Sequence, residues 1–279
     1  MTYRNLLLHI DALPSCKHRI AAALDLAERF DARITGLAAA RMMVVPYGFD
    51  MAPSAELFAE WQNTLDALAR KSIRQFEDAA ARRGFTQIET RVAESNEVAA
   101  IALNARYTDL VIIGQPDPSE KMADGVCVPP GAVVLGCARP VLVVPYIGAP
   151  ADFGKTVVIA WNGSREACRA VYDSLPLLKQ AQQVIVMAVN PVSDARAHGD
   201  LPGADLATYL AHHGVKVEVH ADPGAVVSIG DELLSRIADL NADLLVMGAF
   251  GHTRAHEWVF GGVTRTILQS MTVPVLMSH

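Results

Sequence analysis

Short, almost uninterrupted apolar runs recur along the chain, separated by stretches whose apolar positions fall at helical spacing. Residues 244–247 (LLVM), 141–144 (VLVV) and 184–189 (VIVMAV) show no polar alternation. Runs of that length and type predict strands buried on both faces. Between them, Ile20, Ala23, Leu24, Ala27 and Phe30 form one helical stripe, and Cys168, Val171, Tyr172, Leu175 and Leu178 a second. Buried strands alternating with amphipathic helices predict an α/β protein with a parallel, doubly wound sheet.

The pattern is written twice. Residues 5–11 (NLLLHID) and 156–162 (TVVIAWN) are apolar runs that end in an Asx residue and lead through polar turn chemistry into a helix. A β-type run follows in each half, 32–38 and 183–189. Later, TDLVIIG (108–114) answers ADLLVMG (242–248), and each half closes on a strand preceded by proline, 140–144 and 274–277. A repeat that contains a full set of strands and helices is a domain duplication, not a solenoid. The expected domains are residues 1–147 and 154–279, joined by a Pro/Gly/Ala-rich linker over 145–155 (PYIGAPADFGK).

One insertion breaks the symmetry. Residues 42–84 carry Leu57, Trp61, Leu65, Leu68, Ile73 and Phe76 at helical period, with Gly84 as the expected C-cap. The corresponding helix of the second half, 204–213 before Gly214, is much shorter. The stretch 44–49 (VVPYGF) is either a loop covering an edge or a partner surface.

Composition narrows the function classes. A chain of 279 residues with 51% hydrophobic and 19% charged residues is globular. A net charge of −6 argues against affinity for nucleic acid or anionic membrane. The four cysteines show no CxxC spacing, which fits reduced thiols rather than a disulfide or zinc framework. The apolar start around Leu6–Leu7–Leu8 is too short for a signal peptide or membrane span, so the expected compartment is the cytoplasm.

The chemistry concentrates after residue 243. The apolar run 244–247 ends on Gly248; Gly251 follows, and nine residues separate it from Gly261 and Gly262, which open a helix. Glycines let main chain approach a phosphate, and free amides at the helix start point towards it. In an open parallel sheet the ligand lies beyond the carboxyl ends of the strands, where the strand order reverses. That puts Ala160, Trp161 and Asn162 opposite Gly248 and Gly251, with Val189 one strand further out. In the first half the corresponding loop reads QPDPSE (115–120), in which two prolines remove amide donors and carboxylates would repel a phosphate. The second half is therefore the expected binding copy and the first the structural copy. His252 and His256 have i,i+4 spacing, but no third ligand accompanies them, so they read as loop histidines near the phosphates, with Arg254 either pairing there or solvated. No metal ligand and no catalytic residue is expected. Trp161 either stacks on a base or packs, and Ser164 reads first as a helix N-cap.

GxxG, nine residues, then a glycine followed by a small residue is similar to the nucleotide-binding signature of universal stress proteins. The strand-one Asx, the TDLVIIG/ADLLVMG runs and the closing PVL strands resemble that family as well, over nearly the whole chain. As a tandem member, the chain would comprise two Rossmann-like five-stranded sheets of order 3-2-1-4-5. Its ligand would be ATP or another adenine nucleotide, and its halves would pair through their last strands as a pseudo-dimer within one chain, with a homodimer as an option. The resemblance implies that Val189 touches the adenine through its backbone, that Gly248 and Gly251 shape the phosphate loop, and that Gly261, Gly262 and Val263 donate amides. Two positions depart from it. Gly262 stands where a hydroxyl residue is usual, leaving Thr264 as the substitute. Asn162 stands where an Asp would help to hold hydrated magnesium, which weakens any magnesium site.

The leading expectation is a cytoplasmic stress-response protein, not an enzyme, that binds an adenine nucleotide in residues 154–279 and acts through conformation or a protein partner. The alternatives are an interaction module whose pockets have both decayed, and a slow ATP hydrolase, although neither HxGH nor SGGxDS occurs.

Overall fold

The computed structural model describes residues 2–39, 54–120, 128–189, 203–222, 228–251 and 262–279. The first half runs β1 (Asn5–Ile10), α1 (Cys16–Phe30), β2 (Arg33–Ala39), α2 (Ala55–Arg82), β3 (Ile88–Ala93), α3 (Glu97–Ala105), β4 (Leu110–Gly114), α4 (Pro130–Gly136) and β5 (Val141–Val144). The second repeats it as β6 (Thr156–Ala160), α5 (Arg165–Leu178), β7 (Gln183–Val189), α6 (Ala204–His212), β8 (Val217–Asp222), α7 (Ile229–Asp239), β9 (Leu244–Gly248), α8 (Gly262–Ser270) and β10 (Val275–Ser278). Among the described residues no helix is long and apolar enough to cross a membrane.

Each half has the expected strand order, and the two pair through their last strands, as the resemblance implied. They make one ten-stranded sheet, β3-β2-β1-β4-β5-β10-β9-β6-β7-β8. Pairing is parallel everywhere except at the seam, where β5 and β10 run antiparallel with Leu142 opposite Leu276. The last strands are short and buried on both faces, so joining them removes two sheet edges at once.

The continuous apolar runs are explained by the period of two. Leu6, Leu8 and Ile10 enter one core and Leu7 the other; Leu244 and Val246 face one way, Leu245 and Met247 the opposite. The first core is shared with α1, α2, α5 and α6, and the second with α3, α4, α7 and α8. Burying both faces removes the polar alternation that a solvated strand would keep.

Helix ends follow local rules. Gly84 has φ +67°, its N–H bonds to Ala81, and the Phe85 N–H bonds back to Ala80. That is a Schellman turn, as Gly84's position implied, and Gly214 closes α6 the same way through Ala211 and Leu210.

Two expectations change. The α5 stripe is offset: Cys168 and Tyr172 are exposed, and Ala167, Ala170, Val171, Ser174, Leu175 and Leu178 are buried. The reason is at Gly248, where a Cβ would collide with the main chain of Ala167 and Glu166; only small residues bring α5 that close to β9. Within the linker, residue 153 is packed against the core. Phe153 is fully buried, its carbonyl accepts a 2.7 Å hydrogen bond from Arg29 Nη1, and the guanidinium stacks over its ring. Finally, the first turns of α2 stand away from the sheet, with Leu57 and Trp61 both 39% exposed, while Phe76 is fully buried against Gly36. Residues 44–49 lie outside the described residues.

Candidate functional site

The order 3-2-1-4-5 reverses direction between β6 and β9, whose registers set Ala160 beside Met247. The carboxyl ends of these strands form the crevice in which open α/β sheets bind ligands. Because β10 runs parallel to β9, the start of α8 lies at that same edge. The topology thus brings the Asx turn after β6, the glycine loop after β9 and the α8 N-terminus together.

Each is shaped by its own chemistry. Asn162 Oδ1 accepts the Ser164 N–H at 3.1 Å, and Ser164 Oγ accepts the Ala167 N–H at 3.2 Å. The Asx turn therefore hands the chain to a helix whose N-cap is Ser164, as its residue type implied. Gly248 packs main chain to main chain, since a Cβ there would lie 2.6 Å from the Glu166 carbonyl carbon. At Gly251 a Cβ would meet Glu166 Oε2 at 2.9 Å and Ser164 Oγ at 3.2 Å. Gly262 is the opposite case: it is exposed, and a Cβ would meet nothing within 4 Å. Among the described residues, no neighbour demands a glycine there.

The remaining candidates divide. Ala160 and Trp161 are half-buried and pack against the two cores, and the Trp161 backbone N–H bonds to Met187 O at 2.8 Å. Val263 packs partly into the core, and Thr264 is 4% exposed on the inner face of α8 beside Ile267. The backbone of Val189 ends β7 opposite Asp222. His252, Arg254 and Gly261 lie outside the described residues, as does the side chain of Val189. Among the described residues no group of three or more His, Cys, Asp or Glu is placed to hold a metal ion, and the Asn162 amide oxygen is engaged by Ser164.

The first half shows what this site looks like when its own side chains fill it. Asp11 repeats the Asx turn, its Oδ1 accepting the Leu13 N–H at 3.0 Å. Its other oxygen pairs with the buried Arg19 guanidinium, which also donates from Nε to His9 O at 2.8 Å. Arg19 lies directly over Gly114, the counterpart of Gly248, where a Cβ would strike Nη1. In α5 the residues buried near Gly248 include the small Ala167 and Ala170, and no arginine covers that glycine among the described residues. Burial pushes the Asp11 carboxyl up, but the Arg19 charge, His9 and the Leu13 amide outweigh it and hold it below its ordinary value. Glu120, at the end of the proline-containing loop, then covers the start of α1: its carboxylate accepts the Ser15 N–H at 2.7 Å and the Ser15 hydroxyl at 2.6 Å. An internal carboxylate occupies the helix N-terminus where an anion would otherwise bind.

Both loops also cross the seam. Phe250, with φ 59°, sets its ring 3.1 Å from where a Cβ of Gly131 on α4 would stand. A bulky residue in the left-handed region is strained. The neighbouring Ala249 carbonyl is 2.9 Å from His279 Nδ1. Reciprocally, Gln115 Nε2 donates to Leu268 O and Gln269 O, both at 3.1 Å, closing the end of α8.

Arg19, Phe250 and Glu166 are neighbours of the two crevices that pattern reading missed, whereas Glu120 is one of the 115–120 carboxylates it had read as unfit for a phosphate. Glu166 is buried beneath Gly251; burial raises its pKa, but its own backbone amide, Arg165 and Ser164 prevail and lower it. The sequence signal for it was available: an acidic residue in the first turn after an N-cap serine is common.

Residues 155–279 match the model of the universal stress protein family. A universal stress protein of Synechocystis sp. is 30% identical over 176 residues, 60% of this chain and 57% of that protein, so the match spans little more than half of that relative. Among solved structures, a universal stress protein from Archaeoglobus fulgidus DSM 4304 gives a TM-score of 0.73 at 16% identity, covering 98% of this chain and 95% of that one. A functionally unknown protein from Pseudomonas aeruginosa PAO1 gives 0.61 at 14% identity, covering 99% and 92%. At these identities the structural likeness is one of fold.

Proposed function

From the match of residues 155–279 to the universal stress protein family we propose that the chain is a cytoplasmic stress-response protein with a single adenine-nucleotide site, in the second half. The observation that carries this reading is the contrast at the two glycine loops. Arg19 covers Gly114, whereas Gly248 meets the main chain of Glu166 and Ala167, Gly251 meets the side chains of Glu166 and Ser164, and among the described residues nothing lies within 4 Å of a Cβ at Gly262. The adenine would lie towards the β7 backbone at Val189 and the phosphates over Gly251 and the first amides of α8. Any magnesium would be held weakly, because Asn162 offers a neutral amide oxygen already bonded to Ser164. No catalytic role is assigned to any residue; the nucleotide would act on conformation or on partner binding.

A second reading, a module with no ligand, is favoured by one observation: the Glu166 carboxylate sits under Gly251 and is held ionised. Calorimetric titration of ATP, ADP and AMP against the wild-type chain and Gly251→Asp separates the two. The nucleotide reading expects saturable binding that the substitution abolishes. Unchanged affinity in the variant would sink the loop assignment, and absence of heat with all three nucleotides would promote the ligand-free module.

A further inference from the structure

A second opening lies away from the glycine loops. We infer that the groove between α1 and α2 is a separate site for an amphipathic organic anion, a molecule with a carboxylate or phosphate head on an apolar body. The groove encloses about 580 Å³, within the range of small-molecule sites. Its floor is apolar, formed by Ile20 and Leu24 of α1 and Ala79 of α2. Its rim is cationic. Arg83 is paired with Asp25 and Glu28, which leaves Lys17, Lys71 and Arg82 facing the one further carboxylate at Asp78. In a chain of net charge −6 this local excess of positive charge runs against the whole.

The position of the cations matters as much as their number. Lys71 and Arg82 stand eleven positions apart on one helix, about 16 Å along its axis. Positive charge therefore lines the length of an apolar trough instead of marking one end. Such a trough favours an elongated ligand with its tail on the floor and its head on a lysine or arginine; an uncharged tail would leave the cations without a partner, and a bare anion would leave the floor wet. The groove lies in the first half. There α2 has 28 residues, whereas α6, in the corresponding place of the second half, has nine. The site thus lies in the half whose glycine-loop crevice is filled, and it would bind independently of any nucleotide.

The test is calorimetric titration of laurate and of dodecyl phosphate into the full chain, with 1-dodecanol as the uncharged control. Saturable binding of either anion at one per chain, weakened at least tenfold for dodecanol, supports the site, and the tighter anion names the head group. Lys71→Glu combined with Arg82→Glu should weaken binding at least tenfold. Ala79→Gln, which narrows the floor and keeps every charge, should weaken it as well, with both variants retaining the wild-type melting temperature. Gly251→Asp should leave laurate affinity unchanged, which separates this site from the nucleotide reading. Non-saturable binding, or an unchanged affinity in the charge-reversed variant, would overturn the inference. So would tighter binding of an acidic amphipathic peptide than of either anion, because the groove would then be a protein-docking surface.

Discussion

The two crevices at the strand ends begin from the same plan and finish differently. Both have an Asx turn after the first strand, at Asp11 and Asn162, and both have a glycine closing the fourth strand, at Gly114 and Gly248. In the first half the space above that glycine belongs to Arg19, anchored by Asp11, and the start of α1 belongs to Glu120. In the second half α5 turns alanines towards β9, and the glycine backbone meets main chain instead. The lesson is that one copy of a duplicated fold can close its strand-end crevice by supplying charges from within.

The sharpest way to break this comparison is at Arg19. Arg19→Met leaves Asp11 as an uncompensated charge in a largely buried place, and removing one partner of such a pair costs roughly 3–5 kcal/mol. Urea unfolding should show that loss, and the double variant Arg19→Met/Asp11→Asn should recover most of it. Next in size is Gly248→Val. Its side chain meets the main chain of α5, which has no rotamer to escape into, so a loss of about 3 kcal/mol is expected from overpacking, against about zero for Gly262→Ala in open space. Gly262→Ala therefore separates function from folding: the melting temperature should hold while nucleotide affinity falls.

The fold was legible because strands buried on both faces are continuous in sequence, and the repeat of ADLLVMG on TDLVIIG fixed the halves. The filled crevice was less so. The prolines and carboxylates of 115–120 signalled a loop unfit for phosphate, but Arg19 sits between apolar positions of α1 and reads as a solvated residue until Gly114 is known to lie beneath it. Phe250 and Gln115 act across the β5–β10 seam, and the partner of each lies more than a hundred residues away. Cys168 and Tyr172 misled for a different reason: alanines are weak markers of a buried face, so the more apolar-looking side chains drew the stripe one position off.

A smaller effect appears with pH. The Asp11 carboxyl is held below its ordinary value by Arg19, so its stabilising contribution is complete above the unfolded value of about 3.9 and is lost as pH falls through the lower folded value. Asp11→Asn should flatten the acid side of the stability profile between pH 5 and 2, as read from urea midpoints. Smallest is Ser164→Ala, which removes the N-cap of α5 and should lower stability by about 1 kcal/mol.

The number of ATP molecules bound per chain at saturation, measured by calorimetry on freshly purified protein stripped of ligand, tests the contrast most directly. One equivalent, lost in Gly251→Asp and retained in the Arg19→Met/Asp11→Asn variant, is the predicted result. Two equivalents, or one that survives Gly251→Asp, would contradict the division into an open and a self-filled crevice.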